Sequence, residues 1–313
     1  MPRKGELAKG VVIRTSGGYY HVQVDDKVYI CTLRGRVKKQ NLDAQGRPLY
    51  ANPVAVGDEV MITIADDKYG AIEEILPRRT KFSRRLPGKP VEQLIVANAD
   101  QVVIISSIKM PDLNLRFIDR FLILAEAGGL EAVICVNKMD LASPEERAMV
   151  AGKMKIYEEL GYKVLYTSAL TGEGIEELKE VLKDKFSVFV GESGVGKSTL
   201  LNTIQPGLGL KVAEVSEKTG RGRHTTSFVQ RVPLHFGGYA ADTPGVREVK
   251  IWGVNEDELD YYFPEMRPYI GQCKYKDCTH IHEPDCAIKQ AVMEGKIHPS
   301  RYESYLRLRR GET

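Results

Sequence analysis

The chain has 313 residues, 28% charged and 42% hydrophobic, the balance of a water-soluble folded protein with length for two or three domains. No apolar run is long enough to span a bilayer, and the opening MPRKGELAKG lacks the apolar segment of a signal peptide, so a cytoplasmic protein without membrane association is expected. The net charge of +3 hides an asymmetry: residues 1–90 hold 17 Lys+Arg against 10 Asp+Glu, the remainder 28 against 32, and a polyanionic partner is expected at the amino-terminal part.

In chain order, residues 10–14, 19–24, 27–33, 59–64 and 70–75 read as five short strands rich in Val, Ile and Tyr and separated by Gly or Asp turns. Five such strands predict a small barrel of the OB-fold kind, an architecture that often binds oligonucleotides. The loop over residues 34–53 offers Arg34, Arg36, Lys38, Lys39 and Arg47 to an RNA backbone. An amino-terminal OB-fold RNA-binding domain is therefore expected over 1–77. Residues 78–90, with their prolines and crowded Lys and Arg, read as a basic linker.

Beyond it, QVVIISS at 101–107 is an apolar run of the kind buried on both faces of a sheet. A helix over 117–127, a strand over 131–136, a further helix and a strand over 163–166 alternate as in a parallel α/β sheet. These strands deliver polar residues at their carboxyl ends, where such sheets bind ligands. Asn137, Lys138 and Asp140 follow the second strand, Ser168 and Ala169 the third. Asp140 can accept from the N1–H and 2-amino groups of guanine, which adenine does not offer in that arrangement. Asn137 can bond the other edge of the ring, the Lys138 stem can pack on its face, and an N–H near Ala169 can reach the 6-oxo group.

Residues 186–190 are apolar, and Leu200, Leu201 and Ile204 recur at helical spacing. Between them Gly191, Glu192, Ser193, Gly194, Val195, Gly196, Lys197, Ser198 and Thr199 satisfy G-x-x-x-x-G-K-[ST] in a strand-to-helix context. Backbone N–H groups of such a turn cradle phosphate oxygens at the positive end of the helix. Lys197 would neutralise the outer phosphates and the Ser198 hydroxyl would ligate Mg2+. Downstream, an apolar strand over 238–241 delivers Asp242, expected to hold Mg2+ through water, and Gly245, whose N–H can sense the terminal phosphate. In the intervening TGRGRHTT stretch a threonine, Thr226 in preference to Thr225, is expected to complete the Mg2+ shell. A guanine nucleotide, GTP or GDP, is the ligand these motifs imply together.

Three of the five cysteines crowd the end of the chain as Cys273, Cys278 and Cys286, with His280 and His282 between them. Three thiolates and one imidazole make a closed tetrahedral zinc site, structural rather than catalytic, and spacing alone admits either histidine. Helical stretches over 286–294 and 301–310 would pack on this metal-nucleated piece, whereas Cys31 and Cys135 fall within strands and read as core.

Barrel, rotated motif order, GRHTT segment and terminal cysteines together resemble one family across nearly the whole chain, the bacterial ribosome small-subunit-dependent GTPase A, a circularly permuted GTPase. In most GTPases the phosphate loop comes first and the base-selecting motif last; here Asn137 to Asp140 precede Gly191. The resemblance implies a permuted P-loop GTPase domain over 91–250 and a mostly α zinc-binding domain over 251–313. It also implies a factor in late maturation of the small ribosomal subunit that binds ribosomal RNA through the barrel; oligomeric state is left open by the sequence, with a monomer the simpler expectation. It selects His280 as the zinc ligand. Where many GTPases carry a water-orienting Gln, this chain has Val246, and the resemblance gives that role to His224, with Lys197 and Thr226 beside it in catalysis. The rival expectation is an RNA-binding switch controlled by GTP occupancy without turnover.

Overall fold

In the computed structural model, which describes residues 5–86, 88–208, 229–243 and 252–312, the amino-terminal strands close on themselves. β1 (Leu7–Ser16), β2 (Tyr19–Val24), β3 (Lys27–Leu33), α1 (Gly35–Gln40), β4 (Glu59–Ile64) and β5 (Tyr69–Ile75) form a barrel of order β1-β2-β3-β5-β4, with β1 pairing β4 to complete the ring. Alternate residues of β2 and β4 turn inward, the period of two that a one-sided strand demands. Val12, Val22, Tyr29, Cys31, Val60, Ile62 and Ile72 fill the interior. The basic stretch expected as loop begins with α1, because Val37 finds a place in the barrel core while Lys38 and Lys39 stay in the last turn, where a helix favours positive charge.

The stretch expected as linker also carries structure. β6 (Lys81–Arg85) pairs antiparallel with β7 (Glu92–Ala97). Its charges conceal a strand pattern: Phe82 is fully buried, while Lys81 pairs with Glu92 at 2.9 Å and Arg84 Nε donates to Gln93 at 2.8 Å. This hairpin fastens the barrel to the nucleotide domain. Val56 bridges Val96 and Tyr50 bridges Glu92, and Gly57 sits at φ +90° where an added Cβ would run into the Ala97 carbonyl oxygen. Beside the junction Arg78 donates to both oxygens of the fully buried Asp58, at 2.7 and 2.9 Å.

Then come β8 (Gln101–Ser107), α2 (Leu115–Gly128), β9 (Glu131–Asn137), α3 (Pro144–Glu159), β10 (Lys163–Tyr166), α4 (Ile175–Leu182), β11 (Phe186–Gly191), α5 (Lys197–Ile204), β12 (Arg231–Pro233) and β13 (Tyr239–Asp242). Their sheet has the order β10-β9-β8-β11-β13-β12, parallel except for the edge strand β12. Every residue of β8 and β11 is buried, as expected for central strands covered on both faces. Helices α2 and α3 cover one face and α4 and α5 the other, with separate apolar cores.

The last described piece holds two 3-10 segments, Glu256–Tyr262 and Arg267–Tyr269, then α6 (Ala287–Met293) and α7 (Pro299–Arg309). Its core, including Leu259, Phe263, Met266, Ile288 and Tyr305, borrows Ile123 from α2. Arg301 of α7 is fully buried and donates to Asp119 of α2 and to Glu265, each at 2.6 Å, while Tyr157 of α3 and Ser304 also donate to Asp119.

Candidate nucleotide-binding site and metal cluster

Five parallel strands of the sheet run toward one edge, and the predicted ligand residues that are described stand at the carboxyl ends of β9, β10, β11 and β13. The glycine-rich turn leaves β11 and enters α5 at Lys197. Gly194 and Gly196 both adopt φ +89°, and a Cβ on Gly196 would approach Asn137 Nδ2 to 2.5 Å. Only glycine lets the turn lie this close to the end of β9. Asn137 is buried and engages both ends of its carboxamide: Nδ2 donates to the Val195 carbonyl at 2.9 Å, and Oδ1 accepts from Thr167 Oγ1 at 3.1 Å, leaving one N–H and one lone pair for a ligand. The two sequence motifs are thus one hydrogen-bonded unit.

Lys138 has φ +64° and its Nζ donates to the Met110 carbonyl in the loop that follows β8. Asp140 lies in a single 3-10 turn, Met139–Leu141, and accepts from the Ser168 hydroxyl. Ser168 Oγ in turn accepts the Thr171 N–H at 3.1 Å, which folds the loop carrying Ala169 against Asp140. Arg147 braces the same turn, donating to Met139 O at 2.7 Å and to both oxygens of Glu173 at 2.6 and 2.9 Å. None of this bracing is visible as a motif.

On the phosphate side, Lys197 Nζ pairs with Asp242 at the end of β13 and donates to the Thr243 carbonyl at 3.0 Å. Burial pushes the Lys197 ammonium down to about 8 even beside that carboxylate. A phosphate arriving there would favour the charged form again. Thr243 Oγ1 donates to Phe189 O at 2.8 Å and ties the strand end to β11. Ser198 and Thr199 begin α5, half-buried, on the same edge of the sheet. His224, Thr225, Thr226, Gly245 and Val246 lie outside the described residues.

The succession along the chain, with Asn137, Asp140 and Ser168 before Gly191 and Asp242 after it, is now joined to one sheet edge. Residues 75–252 match the RsgA GTPase family and residues 9–72 the RsgA N-terminal domain. The chain belongs to the RsgA GTPase family. The protein of Caldanaerobacter subterraneus subsp. tengcongensis named small ribosomal subunit biogenesis GTPase RsgA is 42% identical over 305 residues, 97% of this chain and 96% of that one. The crystal structure of YjeQ from Thermotoga maritima superposes with a TM-score of 0.77 at 36% identity, covering 98% of this chain and 99% of that one. YloQ, described as a circularly permuted GTPase, gives 0.71 at 29% identity over 99% and 96% of the two chains. The permuted order expected from the sequence is the order of this fold.

The RsgA-type chain also gathers its terminal cysteines. The ligand atoms of Cys273, Cys278, His280 and Cys286 lie within 4.8 Å of one another. Cys273 Sγ and Cys286 Sγ are 3.8 Å apart, and His280 Nδ1 is 3.3 Å from Cys286 Sγ and 3.5 Å from Cys273 Sγ. Tetrahedral zinc with ordinary Zn–S and Zn–N bonds sets these edges at about 3.6–3.8 Å, so the donor set fits the ion. His280 is buried in the cluster, whereas His282 is exposed and outside it. The other ring nitrogen, His280 Nε2, lies 3.2 Å from Asp260 Oδ2, the carboxylate contact that orients a metal-binding imidazole. Glu283 folds the intervening loop by accepting the N–H groups of Thr279, Ile281 and His282 and the Thr279 hydroxyl. Burial pushes its carboxyl up, but the Thr279 hydroxyl and the N–H groups of Thr279, Glu283 and Ile281 outweigh that and hold it at about 2. Asp260 and Glu283 were not among the expected site residues, since neither falls in the cysteine spacing.

Proposed function

We propose that this protein hydrolyses GTP to GDP and phosphate during late maturation of the small ribosomal subunit, and that the subunit stimulates the reaction. The observation that carries the reading is the Asn137–Val195 bond, which joins the base-selecting segment to the phosphate loop in a chain of the RsgA family. Asp140 would select guanine through two hydrogen bonds, with Asn137, Lys138, Ser168 and Ala169 around the ring. Backbone N–H groups from Glu192 to Thr199 and the Lys197 ammonium would hold the phosphates. Ser198 and Thr226, with Asp242 through water, would hold Mg2+, which supplies charge neutralisation at the transferring phosphate. Gly245 would read the terminal phosphate and His224 would orient the attacking water.

Zn2+ on Cys273, Cys278, His280 and Cys286 has no open position and would be structural. The basic barrel would meet ribosomal RNA, which the names of the relatives support through their link to the small subunit. The protein would act in the cytoplasm, as a monomer in the simplest reading, and no helix among the described residues is long and apolar enough to cross a membrane.

The test is GTP turnover by the purified chain with and without small ribosomal subunits, for wild type, Lys197→Ala and His224→Ala. We expect a stimulated rate in wild type that both variants lose. Subunit binding that depends on GTP while no phosphate is released would instead establish the switch without turnover.

A further inference from the structure

The phosphate loop is held from two sides, and only one hold belongs to the base-selecting segment. On that side Asn137 donates to Val195 O. On the other, Asn114 Nδ2 donates to Glu192 Oε1 at 3.0 Å. Asn114 stands just before α2, and its Oδ1 accepts the Phe117 N–H at 3.1 Å, capping that helix. Its own N–H points to Ser106 Oγ, buried at the end of β8, at 3.4 Å. One carboxamide therefore caps a helix and reaches the loop from a fixed base.

We propose that Asn114 is a positioning residue for the phosphate loop. By anchoring the Glu192 carboxylate to the first turn of α2, it fixes the backbone N–H groups after Glu192 in the arrangement that a nucleoside diphosphate meets. The proposal rests on the reading of Gly191 to Thr199 as the nucleotide site. A turn with glycines at 191, 194 and 196 has many conformations open to it, and whatever orders it beforehand spares the ligand that cost. The chemistry demands asparagine in particular. Aspartate would cap α2 equally well but offers no donor and sets a second carboxylate against Glu192.

That difference gives the test, GDP affinity by calorimetry for wild type, Asn114→Asp and the double variant Asn114→Asp with Glu192→Gln. Losing a hydrogen bond to a charged group predicts about a tenfold or greater loss for Asn114→Asp. Its thermal midpoint should stay near wild type because the cap survives. In the double variant the carboxamide introduced by Glu192→Gln can donate to the new aspartate, and affinity should return to within about threefold of wild type. Wild-type binding by Asn114→Asp, or a double variant no tighter than the single, overturns the positioning role and leaves the nucleotide site standing. Failure of wild type itself to bind GDP overturns both. Should Asn114→Asp not fold, Glu192→Ala removes the same bond without touching the cap, and unweakened binding there overturns the proposal.

Discussion

The barrel and the carboxyl-terminal module flank the nucleotide domain but are held by different means. The barrel closes its own sheet around thirteen buried apolar residues and joins its neighbour largely through main chain, at Val56–Val96 and Tyr50–Glu92, with the Arg78–Asp58 pair beside the seam. The terminal module has two short helices and no strand among the described residues, shares Ile123 of α2 in its core, gathers four side chains that could hold a metal ion, and sits on α2 through the buried Arg301. A piece with a complete core is attached by main-chain bridges, a few apolar contacts such as Val56 and Ala55 against the hairpin, and one ion pair. A piece whose core is shared with α2 and whose cysteines and His280 could hold a metal ion should fail locally when either support is removed.

Metal removal should break this contrast most sharply, because zinc bound to such a set contributes on the order of 10 kcal/mol to folding. After chelation we expect protease to cut within residues 252–312 while the barrel and the sheet resist, as mass spectrometry of the fragments would show; uniform resistance would mean that the module has a sufficient core of its own. Next in size is Arg301→Met, which leaves Asp119 and Glu265 buried without their cation. Breaking a buried pair in this way costs about 3–5 kcal/mol, read as a lowered calorimetric midpoint. Arg36→Ala on the barrel removes an exposed guanidinium from Glu73 while Arg34 still pairs with that carboxylate, and should cost under about 1 kcal/mol in the same measurement. Similar losses for the two would erase the distinction. Smaller than the Arg301 effect, Asp260→Asn should weaken zinc retention by about 10–100-fold in a chelator competition, because it removes the carboxylate behind His280.

The sequence disclosed most where local chemistry decides the outcome. β2, β3, β4 and β8 fall at their expected limits because their apolar and β-branched runs are bounded by turn residues or a change of polarity. The strand Lys81–Arg85 was hidden because its charged side chains find partners across the hairpin, so its buried Phe82 stands among what reads as linker. In the site, Asn137, Lys197 and Asp242 announce themselves by motif. The bracing contacts across the molecule do not: Asn114 is 78 residues from Glu192, Arg301 is 182 from Asp119, and Asp260 is 20 from His280. Such partners are set by packing between elements, and no spacing rule along one chain reports them.

The claim on which the functional account turns is that Asp140 reads a purine ring beside the phosphate loop. Binding of GDP and XDP should be measured on wild type and on Asp140→Asn. Wild type should strongly prefer GDP. The variant should prefer XDP, because an asparagine amide can donate to the 2-oxo group of xanthine where the carboxylate accepted from the 2-amino group of guanine. Unchanged preference for GDP in Asp140→Asn would contradict the account.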